Sequence, residues 1–535
     1  MYQPPVLRRL GPLLIPFLGL IIGTGATLSA AAQSTVTLLR VVDTDRFDPH
    51  TSTARAAGEI LFMIGDTLVT LDYDLKTIQP GLATEWSISD DGRVYTFKLR
   101  EDVTFCSGKP FTANDVVASV ERWLDPATNG VTKWRAGDVK EVVATDDYTV
   151  EWRLNEPYAE LLYQMAQQFH TIINVDQAEE LGQDFGVKAI DTTGPFCFES
   201  WTPRDKTILT KHEAYTWGSP QFSYQTPQVD RIVWQITPEE SPRLAAIQTG
   251  QSDATQYLPY WAIEQLRATP TVNVTQAEQY FWTYFVGMKI TRDNVADEQV
   301  RRAINLAVDV DSIAEALFFG HAEPANAYIH PNVLDYKADM ELSQFSYDID
   351  QANQLLDAAG WTREGDGVRT KDGETLTLVA YGFNSPLWRQ IMEAMQSDLR
   401  QVGVELDLQL TDPTITWGKL KTQEFDVFTM SYPYVSAGDA LNLYFRSANM
   451  PTPNRMNWDD PEETDVWLAS GSAALSEDER AQYYGQVQEK VHNATLWVPL
   501  AHEPLFIAAH QRLEPVKAHG IYGAGFYKGL ELKLK

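Results

Sequence analysis

Basic residues are scarce in this chain. Lysine and arginine number 43 against 73 aspartates and glutamates, a formal charge of −30 with an isoelectric point near 4.6. That balance repels phosphate backbones, and with no basic cluster to offset it a nucleic-acid partner is excluded. Long apolar runs are missing beyond the N-terminal stretch, where no segment approaches the roughly 20 apolar residues that a spanning helix needs. Catalytic signatures are missing too: there is no Gly-x-Ser-x-Gly elbow, no His-Glu-x-x-His helix and no phosphate-cradling glycine loop. The nine histidines are scattered, and even the group His492, His502, His510 and His519 lacks metal-ligand spacing. Neither internal repeats nor low-complexity linkers interrupt the sequence. No cofactor and no bound metal are expected.

What is present begins with an export signal. Arg8 and Arg9 precede an almost wholly apolar run from Leu13 to Ile22, and Ala30-Ala31-Ala32 places small residues at cleavage spacing. Residues 1–32 therefore read as a secretory signal removed near Ala32, with an uncleaved anchor as the alternative. No cysteine follows the run, which excludes a lipid anchor and leaves a freely diffusing periplasmic protein. In that oxidising compartment the only two cysteines, Cys106 and Cys197, either form a disulfide closing a loop of about 90 residues or stay apart as buried thiols. About 500 mature residues exceed what one core supports, so two or three domains are expected.

The stretch PGLATEWSISDDGRVYTFKLREDVTFCSGKPFTANDVVAS, Pro80 to Ser119, is the most specific part. Ser89-Asp90-Asp91-Gly92 has hairpin-turn chemistry, and Val94, Thr96, Phe97 and Leu99 belong to the strand that follows. Ser107-Gly108-Lys109-Pro110 is a second turn. Thr112 or Asn114 caps a helix starting near Asp115, with Val116, Val117 and Val120 facing the core. In order and identity this stretch closely resembles the signature of the large extracytoplasmic solute-binding proteins of ABC importers, the peptide/nickel class or family 5.

The likeness continues along the chain. Asp48-Pro49-His50 resembles the family's opening, whose first loop reaches the ligand cleft. TGPFCFESW and KHEAYTWG (193–218), RLAAIQTGQSDA (243–254), DEQVRRAINLAVD (297–309) and YDIDQANQLLDAAGW (347–361) each resemble a recurring family segment. Alternating strands and helices, with hairpins, indicate α/β layers, with helices ending at Gly250 and Gly360. The resemblance implies a two-lobed periplasmic binding protein, the Venus-flytrap type II fold of the large cluster C, with an extra small domain on lobe I at about 80–190. Lobe I is expected over 33–285, lobe II over 286–499 and a return to lobe I over 500–535, with crossings near Phe285 and Pro499.

In the peptide-binding branch an acid after a Trp holds the ligand's α-amino group. Here Tyr432 falls where that branch has Trp and Val435 where it has the acid, so the anchor is missing. Asp439, a few residues on, either substitutes for it or is a structural turn residue. Arg389 resembles a basic position near the peptide carboxylate, and a surface arginine is the plainer reading. Tyr257, Tyr260, Trp261, Tyr280, Phe281, Trp282, Tyr284, Tyr432 and Tyr434 cluster in the segments bracketing the expected cleft, where aromatic faces suit stacking or a cation. Packing is the plainer reading for Trp282 and Tyr284. The ligand-binding set is therefore Tyr257, Trp261, Arg389, Tyr432, Tyr434 and Asp439. The function implied is that of a monomeric receptor that closes around a small polar solute, a peptide-like compound first, an oligosaccharide or a metal chelate after it. It hands that solute to an inner-membrane ABC permease. An exported hydrolase and a chemosensory receptor are the rivals from other classes.

Overall fold

The computed structural model describes residues 33–130 and 132–535. The export signal expected at residues 1–32 lies outside the described residues. Three sheets carry the fold. The first has seven strands in the order Val272–Gln276, Phe506–His510, Ala254–Thr255, Thr35–Arg40, Arg231–Ile236, Lys206–Lys211 and Phe196–Thr202. Its pattern is the alternation read from sequence: Ile232 and Trp234 are fully buried while their neighbours are partly exposed, as a period of two requires.

The second sheet has six strands in the order Glu323–Pro324, Trp497–His502, Trp282–Met288, Val427–Pro433, Thr377–Phe383 and Glu405–Thr411. Its central strands are buried almost throughout. Amphipathic helices flank it, among them Glu298–Ala307, whose Val300, Ile304 and Ala307 enter the same apolar cluster as Val286 and Val498. Layers of helix over sheet explain why these strands read as unbroken apolar runs.

The third sheet, four antiparallel strands between Ala83 and Leu154, contains the signature stretch. Gly92 takes a φ of 68° in the hairpin turn, a conformation that favours glycine. Helix Ala113–Leu124 starts at Thr112, whose backbone N–H donates to the Asp115 carboxylate at 2.8 Å. That contact is half of a capping box, and it satisfies a donor the helix itself leaves free. Helix Glu240–Thr249 ends at Gly250 in the left-handed conformation.

The chain passes from the seven-stranded to the six-stranded sheet between Gln276 and Trp282 and returns between His502 and Phe506. Phe285 and Pro499, near which the sequence places the crossings, are partners within the six-stranded sheet, a few residues from these connections. Both lie in apolar runs, and such runs give no signal of where a strand leaves one sheet for another. The two connections are themselves neighbours: the Glu503 N–H donates to the Trp282 carbonyl at 2.8 Å. Cys106 and Cys197 are joined in a disulfide. It ties the turn after strand Val94–Leu99 to the edge strand of the seven-stranded sheet. Among the described residues no helix is long and apolar enough to cross a membrane.

Candidate functional site

A cavity of about 390 Å³ is lined by segments belonging to both large sheets. From the first come Val41, just past strand Thr35–Arg40, Arg55 at the start of helix Arg55–Ile64, Glu240 and Arg243, and the run Gln256–Trp261. From the second come Leu317, Phe319 and the residues Ser385, Pro386, Leu387 and Gln390. Glu503, Pro504 and Leu505, on the returning connection, and Phe506 after it complete the lining. Local sequence fixes each wall. Ser385 accepts a hydrogen bond from the Trp388 N–H at 3.3 Å and Pro386 opens the helix, so this helix begins at the cavity rim.

The walls are aromatic and charged. Trp261 is 46 % exposed and donates to Glu240 at 3.4 Å. Tyr257 donates to Glu59 Oε1 at 2.5 Å, which also receives the Gln256 amide at 2.7 Å. Tyr260 donates to Glu503 Oε1 at 2.6 Å. The Arg55 guanidinium lies 3.5 Å from Glu59 Oε1 and over the rings of Tyr257 and Trp282, 5.3 and 5.0 Å from their centroids. Arg243 is occupied by backbone, donating to the carbonyls of Tyr257, Thr237 and Pro238 at 2.8 to 2.9 Å. Burial raises the Glu503 carboxyl above its ordinary range, opposed by Arg55 and by the hydroxyls of Tyr260, Tyr284 and Tyr280. Glu59 is raised likewise by burial, with Arg55 and Arg40 opposing. A site of this size and mixed lining suits a small polar solute with apolar parts.

A second polar cluster lies buried elsewhere. Arg135 donates to Asp439 Oδ1 at 2.7 Å and to the Tyr432 hydroxyl at 2.6 Å, and also bonds Gln164. Nearby Glu160 accepts from Ser436 and, at 3.0 Å, from Tyr484. These contacts join the segment 133–164 to the loop and helix start at 436–439. Gly438 makes the approach feasible, since a Cβ there would collide with the Glu160 carboxylate and the Tyr484 ring.

The residues expected from sequence thus divide. Tyr257 and Trp261 line the cavity, with Tyr260 between them. Arg389 does not line it; the side chain is exposed and bonds Asn384, while Gln390 reaches the cavity in its place. Tyr432 and Asp439 belong to the buried Arg135 cluster. Tyr434 is 3 % exposed, its hydroxyl bonded to Thr283 and to the His330 N–H and its ring stacked on Phe281. Val435 is buried in an apolar cluster. The opening loop also differs: Asp48 pairs with Arg122 at 2.7 Å and His50 stacks on Trp123, leaving Val41 and Arg55 to reach the cavity. Arg55, Glu59, Glu503 and Arg135 went unrecognised in the sequence. A lone charge inside an apolar run, as in WVPLAHEP around Glu503, was the one local hint. The only grouping of potential metal-ligand atoms among the described residues is Cys106, Cys197 and His212, and its sulfurs are consumed in the disulfide.

The sequence profile of the bacterial extracellular solute-binding proteins, family 5 Middle, matches residues 77–451. The chain belongs to that family. This family 5 protein is 28 % identical over 520 residues to a probable di/tripeptide-binding protein 5 of Pseudomonas aeruginosa, covering 90 % of this chain and 93 % of that one. It is 28 % identical over 477 residues to heme-binding protein A of Haemophilus influenzae, covering 84 % and 83 %. Its fold matches the oligopeptide-binding protein AppA of Bacillus subtilis, solved with a nonapeptide. There the TM-score is 0.83 at 21 % identity, over 94 % of this chain and 99 % of that one. The family 5 protein therefore has the α/β periplasmic-binding-protein fold, and its class is solute binding.

Proposed function

We propose that this chain is the periplasmic receptor of an ABC importer, that it captures a peptide or peptide-like solute between two lobes, and that it carries out no covalent step. In this reading lobe I holds the seven-stranded sheet, lobe II holds the six-stranded sheet, and the connections 277–281 and 503–505 form the hinge. The permease of the inner membrane is its partner. The cavity of about 390 Å³ carries the reading, because its walls come from the elements of both sheets. A solute bound there contacts both lobes at once and favours the closed state by its differential affinity. Relatives named for di- and tripeptides and for haem differ in cargo, and the cavity volume supports the smaller one, a few residues in length.

Native mass spectrometry of the protein taken from its own periplasm tests this. A stoichiometric peptide-like adduct, released on denaturation, is the expected result. A bound sugar or chelate would replace the peptide assignment while keeping the receptor. Turnover of the bound compound would sink the receptor reading.

A further inference from the structure

The acid that anchors a ligand amine in the peptide-binding branch is replaced here by Val435, which is 2 % exposed. The nearest carboxylate in that loop, Asp439, has its charge answered by Arg135 at 2.7 Å. Neither position offers a negative charge to a ligand. The cavity does. Glu503 lines it, with one carboxylate oxygen taking the Tyr260 hydroxyl at 2.6 Å. The other oxygen is buried and makes no well-aligned hydrogen bond within the protein, nor does the buried Tyr280 hydroxyl, while the Tyr280 and Tyr284 hydroxyls stand beside the carboxylate.

Local charge is unbalanced in the same direction. Arg55 lies 3.5 Å from Glu59 and bears on both Glu59 and Glu503; Arg40, which also bears on Glu59, is paired with Asp43 at 2.9 Å, and Glu240 adds a further carboxylate to the lining. Arg243 does not redress this, since its donors are taken by backbone carbonyls. A buried carboxylate oxygen without a well-aligned donor is costly, and the rings of Tyr260 and Trp261 in the same lining favour a cation. We propose that Glu503 is the ligand's cation anchor, taking a primary ammonium group against this aromatic wall in place of the acid missing at Val435. Glu503 sits on the connection between the sheets, so the cation is gripped at the hinge itself.

This assignment rests on the peptide-receptor reading, and the test separates the two. The probe is an equimolar library of di- and tripeptides made without Lys, Arg or His, with free or with acetylated amino termini, read by native mass spectrometry and calorimetry. Wild-type protein should bind free-amine members and lose roughly ten- to a hundredfold in affinity on acetylation, the range expected for one charge-assisted hydrogen bond. Glu503→Gln, which keeps an acceptor for Tyr260, should lose a similar factor for free-amine members and nothing for acetylated ones. Equal wild-type affinity for the two forms overturns the Glu503 assignment and leaves the peptide receptor standing; that comparison needs no variant. Undiminished free-amine binding by a folded Glu503→Gln protein overturns it equally. Binding of neither form by wild type removes the peptide reading and this assignment with it.

Discussion

Glu160 is fully buried, and its carboxyl is pushed up to about 7 by burial first and by the neighbouring Asp335 and Asp439, against the hydrogen bonds from Ser436 and Tyr484. The unfolded chain releases that proton near the ordinary value of 4.5. The folded state thus binds the proton more tightly. This contribution to stability is complete below pH 4.5 and lost as the pH rises through 7, each tenfold difference in proton affinity between the two states being worth about 1.4 kcal/mol. Other carboxylates, such as Asp48, are held below their ordinary range and act in the opposite direction, so the wild-type profile alone does not isolate the effect. Replacing Glu160 by Gln should remove one descending component, leaving a smaller drop in Tm from pH 5 to pH 8 than in wild type. An unchanged difference would place the proton elsewhere. None of this was legible in the sequence, where Glu160 stands in the unremarkable run Tyr158-Ala159-Glu160-Leu161. Its environment is made by Asp335, Ser436, Asp439 and Tyr484, all far along the chain, and no local pattern reports such contacts.

At the level of elements the sequence was far more readable. The hairpin at Ser89–Gly92, the helix capped at Thr112, the stripe of Val300 and Ile304 and the stop at Gly250 all depend on neighbours within a few residues, and each has a local chemical signature. Helix Pro386–Gln401 shows where that legibility ends. Ser385 and Pro386 set its start, yet which of Arg389 and Gln390 meets the cavity depends on a rotation of about 100° about the helix axis, fixed by how the helix packs. The pair Cys106 and Cys197 could be counted but not joined until the turn after Val94–Leu99 was seen beside the edge strand. That bridge spans a sequence separation of 91. On the chain-entropy estimate its loss should cost about 4 to 5 kcal/mol. Replacing both cysteines by serine should therefore lower the urea midpoint, with a slope that rises as the uncrosslinked denatured state expands. A midpoint that stays put would mean that the packing around the bridge, not the bond, holds the elements together.

The whole molecule carries a charge of −30, and such an excess repels itself in the compact state. Raising the ionic strength from about 0.01 M to about 0.15 M shortens the Debye length from about 30 Å to about 8 Å, so Tm should rise by several degrees over that interval. A flat or falling Tm would show that the acidic residues are spaced widely enough not to sense one another. The buried ion pairs Arg135–Asp439, Arg480–Asp335 and Lys528–Asp66 are shielded from solvent and should contribute little to that salt response.

Both ends of the described chain meet in one sheet. Strand Thr35–Arg40 has Ala254–Thr255 on one side, and beyond it strand Phe506–His510, from near the end of the sequence, fills the place before Val272–Gln276. The last turns then pack under the same sheet, with Phe526 against Trp234 and Lys528 bonded to Asp66 at 2.7 Å. A chain leaving the ribosome from its N-terminus cannot finish this layer until its final segment, from about Phe506 onward, has emerged, because pairings of such long sequence separation form late. Synthesis is then almost over before the first half can lock, which leaves an interval in which the polypeptide is still threadable.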